Sequence, residues 1–277
     1  CPHDDTPPYF TLFRPARAGR IKPDPVAPAR VLAGDFDLDQ NPATCDDSRQ
    51  PGTSYASPSV AGAAALVRQY YTDGFYPDGA AAASHGFTPS AALLKATLIA
   101  AARAVPYRGD IMSNTRVPAL PVPSYEQGWG FPVLDDALYF PGDLRKLQVV
   151  DVPLADGLAE GQSKTIRVKT NAGTALKVVL VWTDPAGHIA SMSDTTPQLV
   201  NDLDLRVTTT GGTSFGNGSA PDRLNNVEVV SLDPSASGTV SITVTAHDLR
   251  FGDRQSYALV ITGDIAPVST RARAVRH

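Results

Sequence analysis

The sequence predicts a chain in two parts. A mixed α/β part covers residues 1–140, an antiparallel β-sandwich covers 141–263, and a basic tail follows from 264 to 277. Two observations carry this. The first is a pair of helical runs before residue 106, one opening at Gly52-Thr53-Ser54 and one at Thr88-Pro89-Ser90. The second is a change of period after Pro141-Gly142-Asp143, from helical spacing to short alternating segments with turns between them. With 277 residues, 42% of them apolar, the chain is long enough for two ordinary cores. A net charge of −4 implies neither nucleic acid nor an anionic membrane as partner. No apolar run approaches the roughly 20 residues that span a bilayer.

Residues 1–19 are loop-like, with four prolines and a candidate short strand at Tyr9–Phe13. The beginning at Cys1, without Met or a leader, is expected of a mature product, a cleaved piece or a truncated chain. Cys1 and Cys45 are the two cysteines. A bridge between them, two separate thiols and a Cys1 paired elsewhere all stay open. Gly19-Arg20-Ile21-Lys22-Pro23-Asp24-Pro25-Val26-Ala27-Pro28 is excluded from a helix by its prolines. Val31–Gly34 predicts a core strand. Asp35 to Gln50 predicts a polar loop; its Asp35, Asp37 and Asp39 lack the Gly and Glu of a calcium-binding EF-hand loop and are expected to be solvated.

The run Gly52-Thr53-Ser54-Tyr55-Ala56-Ser57-Pro58-Ser59-Val60-Ala61-Gly62 continues into Ala63–Val67. It predicts a helix capped by Thr53, ended by Asp73-Gly74, apolar nearly all round and so buried. Ser54 then stands at a helix N-terminus, where unpaired N–H groups and a partial positive charge let a nucleophile and an oxyanion share a site. Tyr70 to Phe87 is expected as a connecting insertion. In the second helix, Thr88 is the expected cap, Pro89 the first helical position, and Leu93, Leu94, Ala96, Leu98, Ile99 and Ala102 the apolar face. Gly128-Trp129-Gly130 lacks the third Gly and the Lys of a phosphate loop. A short helix after it closes the first part near Phe140.

Seven strands are expected in the second part: 147–152, 163–170, 175–182, 204–209, 226–232, 239–245 and 256–262. Their expected core is Val178, Leu180, Trp182, Leu205, Val227, Ile242 and Leu259. Asn217-Gly218 is a hairpin turn rather than a glycosylation site.

Taken together, Gly-Thr-Ser-x-Ala-x-Pro with Val60-Ala61-Gly62 resembles the serine motif of subtilisin-like serine peptidases, with Tyr55 and Ser59 where Met and His are usual. Gly19–Pro28 resembles the family's Gly-Arg-x-Lys-Pro-Asp segment, with Pro25 and Ala29 departing from it, and Gly128–Gly130 its closing Gly-Trp-Gly. Leu180–Pro185, Leu199–Leu205 and Leu224–Glu228 resemble strings of the jelly-roll domain that follows the catalytic domain in some secreted subtilases. The resemblance covers about residues 9 to 263 and implies several things. The fold is the C-terminal part of a parallel-sheet catalytic domain followed by a jelly roll. Ser54 is the nucleophile of an endopeptidase acting on polypeptides by acyl-enzyme hydrolysis. The protein is secreted. Calcium is implied as a structural ion on Asp184, Asp202 and Asp204; the competing reading is that Asn201 and Asp202 pin a turn and Asp204 faces solvent. No cofactor is expected for catalysis.

A serine hydroxyl needs a base. The family's His and Asp precede the serine, yet none of His3, His85, His188, His247 and His277 has the family's setting, no Asp-Ser/Thr-Gly precedes Ser54, and the oxyanion Asn lies upstream of the covered region. One missing oxyanion donor alone costs roughly 3–4 kcal/mol in the transition state. The chain is therefore expected to be incomplete and to need an N-terminal catalytic portion. Two alternatives compete. An α/β-hydrolase would use Ser54 with Asp184 and His247, but expects strands and helices to alternate after residue 106. An inactive remnant would act through its β-sandwich as a binding or stabilising module.

Overall fold

The computed structural model describes residues 19–28, 30–34, 47–110, 115–188, 195–233 and 237–267. Every strand pair among them is antiparallel. The parallel sheet expected of the first part therefore has no strand pair in the described region. Strand β1 (Arg30–Gly34) pairs instead with β2 (Asp47–Pro51), so the end of the expected 35–50 loop is a strand. Tyr9–Phe13, both cysteines and the Asp35-Asp37-Asp39 run lie outside the described residues.

Helix α1 (Thr53–Thr72) begins one residue earlier than a Thr53 cap would require: Gly52 is the cap, and Thr53 is the first helical residue. The helix runs through Tyr70 and Tyr71, so the insertion starts at Asp73, where the chain leaves through Gly74 at φ 73°. Gly74 is obligatory there, because a Cβ would meet the Ala82 carbonyl oxygen at 1.9 Å. Helix α2 (Ala91–Ala100) is capped by Ser90 rather than Thr88. The Ser90 hydroxyl accepts from the Leu93 N–H (3.0 Å) and donates to Asp151 (2.6 Å), and its own N–H donates to the same carboxylate (2.8 Å). Pro89 sits before the cap, where its fixed φ suits extended chain.

Short pairs complete the first part: β3 (Ala102–Arg103) with β6 (Phe131–Pro132), and β4 (Tyr107–Asp110) with β5 (Thr115–Pro118). A 3₁₀ turn at Leu134–Asp136 and a turn at Phe140–Asp143, closed by the Phe140 N–H on the Asp143 carboxylate (2.8 Å), follow β6.

The second part is two antiparallel sheets. One orders β12 (Val227–Leu232), β9 (Leu176–Val181), β14 (Tyr257–Gly263) and β7 (Lys146–Val152). The other orders β11 (Gly212–Phe215), β10 (Asn201–Thr209), β13 (Gly238–Leu249), β8 (Ser163–Thr170) and β15 (Ile265–Pro267). All seven expected strands are present, and β11 and β15 are additional. The expected tail thus begins with a paired strand, because buried Ile265 belongs to the sandwich core. Residues from 268 onward lie outside the described region.

Val178, Leu180, Leu259 and Ile261 from one sheet meet Leu203, Leu205, Ile242 and Val244 from the other in a single core. The outer face of the four-stranded sheet is buried too. Val179, Val181, Val227, Ala258 and Val260 pack against Leu93, Ala96 and Ile99 of α2 and Val67 and Tyr71 of α1. Val227 therefore serves this second core and not the sandwich interior. Lys177, on the same face, sends its ammonium to the carbonyls of Ile99 and Ala102, both at 2.7 Å, and so closes the C-terminal end of α2.

Candidate active site

Ser54 is the second residue of α1, and its side chain is exposed. No side chain caps this N-terminus, and its first turn carries no acid. Tyr55 donates its N–H to the Gly52 carbonyl at 3.0 Å. Pro58 lies four residues after Ser54 and has no N–H, so it cannot complete the helical bond to the Ser54 carbonyl. The helix thus presents uncapped donors and a partial positive charge beside an exposed hydroxyl, which is the arrangement an acyl-transfer oxyanion needs.

The helix itself is not sheathed. Ala56, Val67, Tyr70 and Tyr71 are buried, while Ala61, Gly62, Ala65 and Leu66 are exposed, Leu66 at 57%. A Cβ on Gly62 would meet nothing within 4 Å. The expectation of a helix buried all round fails on this face, because no described residue packs there.

No described histidine hydrogen-bonds Ser54. His85 Nδ1 lies 3.5 Å from Asp78, His188 Nε2 lies 3.1 Å from the Gln198 amide, and His247 Nδ1 lies 4.0 Å from Asp204. His3 and His277 fall outside the described residues. The Asp184–His247 pairing of the hydrolase alternative is not formed; Asp184 binds Arg20 instead, at 2.7 Å.

The Gly19–Pro28 and Gly128–Gly130 motifs meet in space. The Trp129 N–H donates to the Asp24 carbonyl (2.8 Å), and the Val26 N–H to the Gly130 carbonyl (2.9 Å). Gly128 and Gly130 have positive φ, and a Cβ on either would lie 2.0 Å from a carbonyl oxygen, of Asp24 and of Arg103 respectively. Asp24 also holds Lys22 (2.5 Å) and Lys95 of α2 (3.0 Å). Burial lowers the Lys95 pKa, against the pull of Asp24. Further along, Gly19–Ile21 is fastened to the sandwich. Arg20 reaches Asp184 and the Gln198 carbonyl (3.1 Å), and the Ile21 N–H donates to the Asn225 side chain (2.7 Å).

The three expected calcium ligands are not gathered together. Asp184, 2% exposed, takes Arg20 on one oxygen and the Asn201 N–H (2.8 Å) on the other, with the Val200 N–H shared between them. Asp202 and Asp204 both face Arg223, Asp202 at 3.0 Å and Asp204 through two oxygens. Burial pushes Asp202 up to about 6, although Arg223 pulls it down. Burial also raises buried Glu228 well above the carboxylate range, although it accepts from the Leu205 N–H (2.6 Å). Asn201 holds both the N–H and the carbonyl of Phe251, 50 residues further along the chain. Asn217, at φ 61°, sits in the expected turn and binds Asp222, the Val227 carbonyl and the Val229 N–H. Arg20 and Arg223 escaped the sequence reading. Their signal was charge balance, since each acidic string needed a cation from a distant part of the chain.

The sequence profile of the Subtilase family matches residues 3–130. Three Dictyostelium discoideum proteins, each called a serine protease/ABC transporter B family protein, are similar over most of the chain. TagA is 29% identical and covers 92% of the chain, tagD 30% and 81%, and tagB 26% and 92%. The chain spans only about 15–16% of the length of these relatives. Among solved structures, an Aeromonas hydrophila periplasmic lysozyme inhibitor aligns over 46% of the chain and 91% of its own at 12% identity; its TM-score of 0.25 bears on nothing further. The matched segment 3–130, which holds the Ser54 helix, is similar to the Subtilase family.

Proposed function

We propose that Ser54 is the nucleophile of a subtilisin-class serine endopeptidase that cleaves polypeptides through an acyl-enzyme, and that this chain supplies only part of the site. The observation that carries the proposal is the exposed Ser54 at an uncapped helix N-terminus, on a helix whose small-residue face Ala61-Gly62-Ala65-Leu66 is bare. The names of the similar Dictyostelium proteins support the reaction class. In this reading, an N-terminal catalytic portion covers that face and brings the His base, its Asp and the oxyanion Asn. The Ser54 N–H then supplies one of the oxyanion donors. The β-sandwich acts as a jelly-roll domain that braces α2 and the Gly19–Val26 segment, and the protein works outside the cell. Among the described residues no helix is long and apolar enough to cross a membrane.

Intact-mass labelling with a fluorophosphonate probe tests this. The 277-residue chain should label negligibly alone and on Ser54 once an N-terminal subtilase portion is added, and Ser54→Ala should abolish the label. Failure of Ser54 to label in the reconstituted pair would refute the proposal and leave the sandwich as a binding or stabilising module.

A further inference from the structure

We infer that the cation of the acidic corners is built into the chain: Arg20 serves Asp184, Arg223 serves Asp202 and Asp204, and the sandwich folds without a divalent metal. Calcium requires several oxygens converging on one point, each with a free lone pair. Asp184 has none to offer that point. Both its oxygens are taken by Arg20 and two backbone N–H groups, and its side chain is 2% exposed. Asp202 and Asp204 already converge, but on the Arg223 guanidinium, which Asp204 grips through both oxygens. A planar guanidinium is suited to this fork-like pairing, and it fills the space an ion would need. Among the described residues no group of three or more His, Cys, Asp or Glu is placed to hold a metal.

The two arginines also join distant parts of the fold, which a loosely held ion would do less directly. Arg20 ties the segment beside Gly128–Gly130 to the start of β10, where the Val200 and Asn201 N–H groups donate to the same Asp184 carboxylate that Arg20 binds. Arg223 neighbours Asp222, whose carboxylate accepts from the Leu224 (2.8 Å) and Asn225 (3.1 Å) N–H groups, and Asn225 in turn holds Ile21. The corners are thus linked through one short loop.

Thermal unfolding of the full chain, in millimolar calcium chloride and in excess EDTA, tests the inference. Wild type should show the same Tm in both. Arg223→Met should lower Tm by roughly 3–6 °C, and Arg223→Lys, which keeps the charge, should recover part of that loss. Arg20→Met should also lower Tm and serves if the Arg223 variant does not fold. A wild-type Tm raised by calcium, an Arg223→Met Tm equal to wild type, or an Arg223→Lys variant no better than Met would each overturn it.

Discussion

Lys177 is the place where the balance between a buried charge and the bonds it makes can be measured. Its ammonium closes the last turn of α2 on two carbonyls at 2.7 Å, which for a charged donor stabilises by about 1.5–3 kcal/mol per bond. Burial opposes this and lowers its pKa from 10.5 to about 8; Arg145 adds to the lowering and Asp136 counters it. A gap of that size corresponds to roughly 3 kcal/mol held against the charged form, so Lys177→Met at neutral pH should cost only about 0–3 kcal/mol, the difference of two comparable effects. The pH dependence is the sharper test. The unfolded lysine binds its proton up to about 10.5 and the folded one only up to about 8. Between those values the unfolded state holds more protons, and stability contributed by this site rises with pH. Urea unfolding of wild type and Lys177→Met at pH 7.5 and 9.5 should show the wild-type advantage growing by about 1–2 kcal/mol. Buried Tyr70 and Tyr71 are common to both proteins and cancel. A difference that stays flat across that range would refute the account of Lys177 as a buried, charge-strained cap.

Gly130→Ala should be severe, since its new Cβ would sit 2.0 Å from the Arg103 carbonyl at φ 111°; a loss of more than about 3 kcal/mol in urea unfolding is expected. Ser90→Ala removes the α2 cap and the hydroxyl bond to Asp151 while leaving the backbone N–H bond to it, and should cost about 1–2 kcal/mol by the same assay.

Local chemistry made much of the fold legible. The β8 range 163–170 and the turns at Asn217-Gly218 and Phe140–Asp143 follow from period-2 patterning and turn residues, which act over a few positions. The position of Ser54 was legible for the same reason, since the Gly52–Pro58 string opens a helix with serine in its first turn. Cap identity was less so: Thr88 and Ser90 are equally good caps in a string, and the Asp151 carboxylate, 61 residues away, decided between them. The runs Val178–Val181 and Leu259–Ile261 did carry a signal that β9 and β14 are covered on both faces. What covers them, helix α2, depended on how the two parts dock. Docking also moved Val227 to the second core, drew Arg20 onto Asp184 and Arg223 onto Asp202 and Asp204, and left one face of α1 bare. Patterning states which residues avoid water and which carry charge; partners are chosen by distance in space, between residues separated by as many as 204 positions, and that is settled when the layers pack.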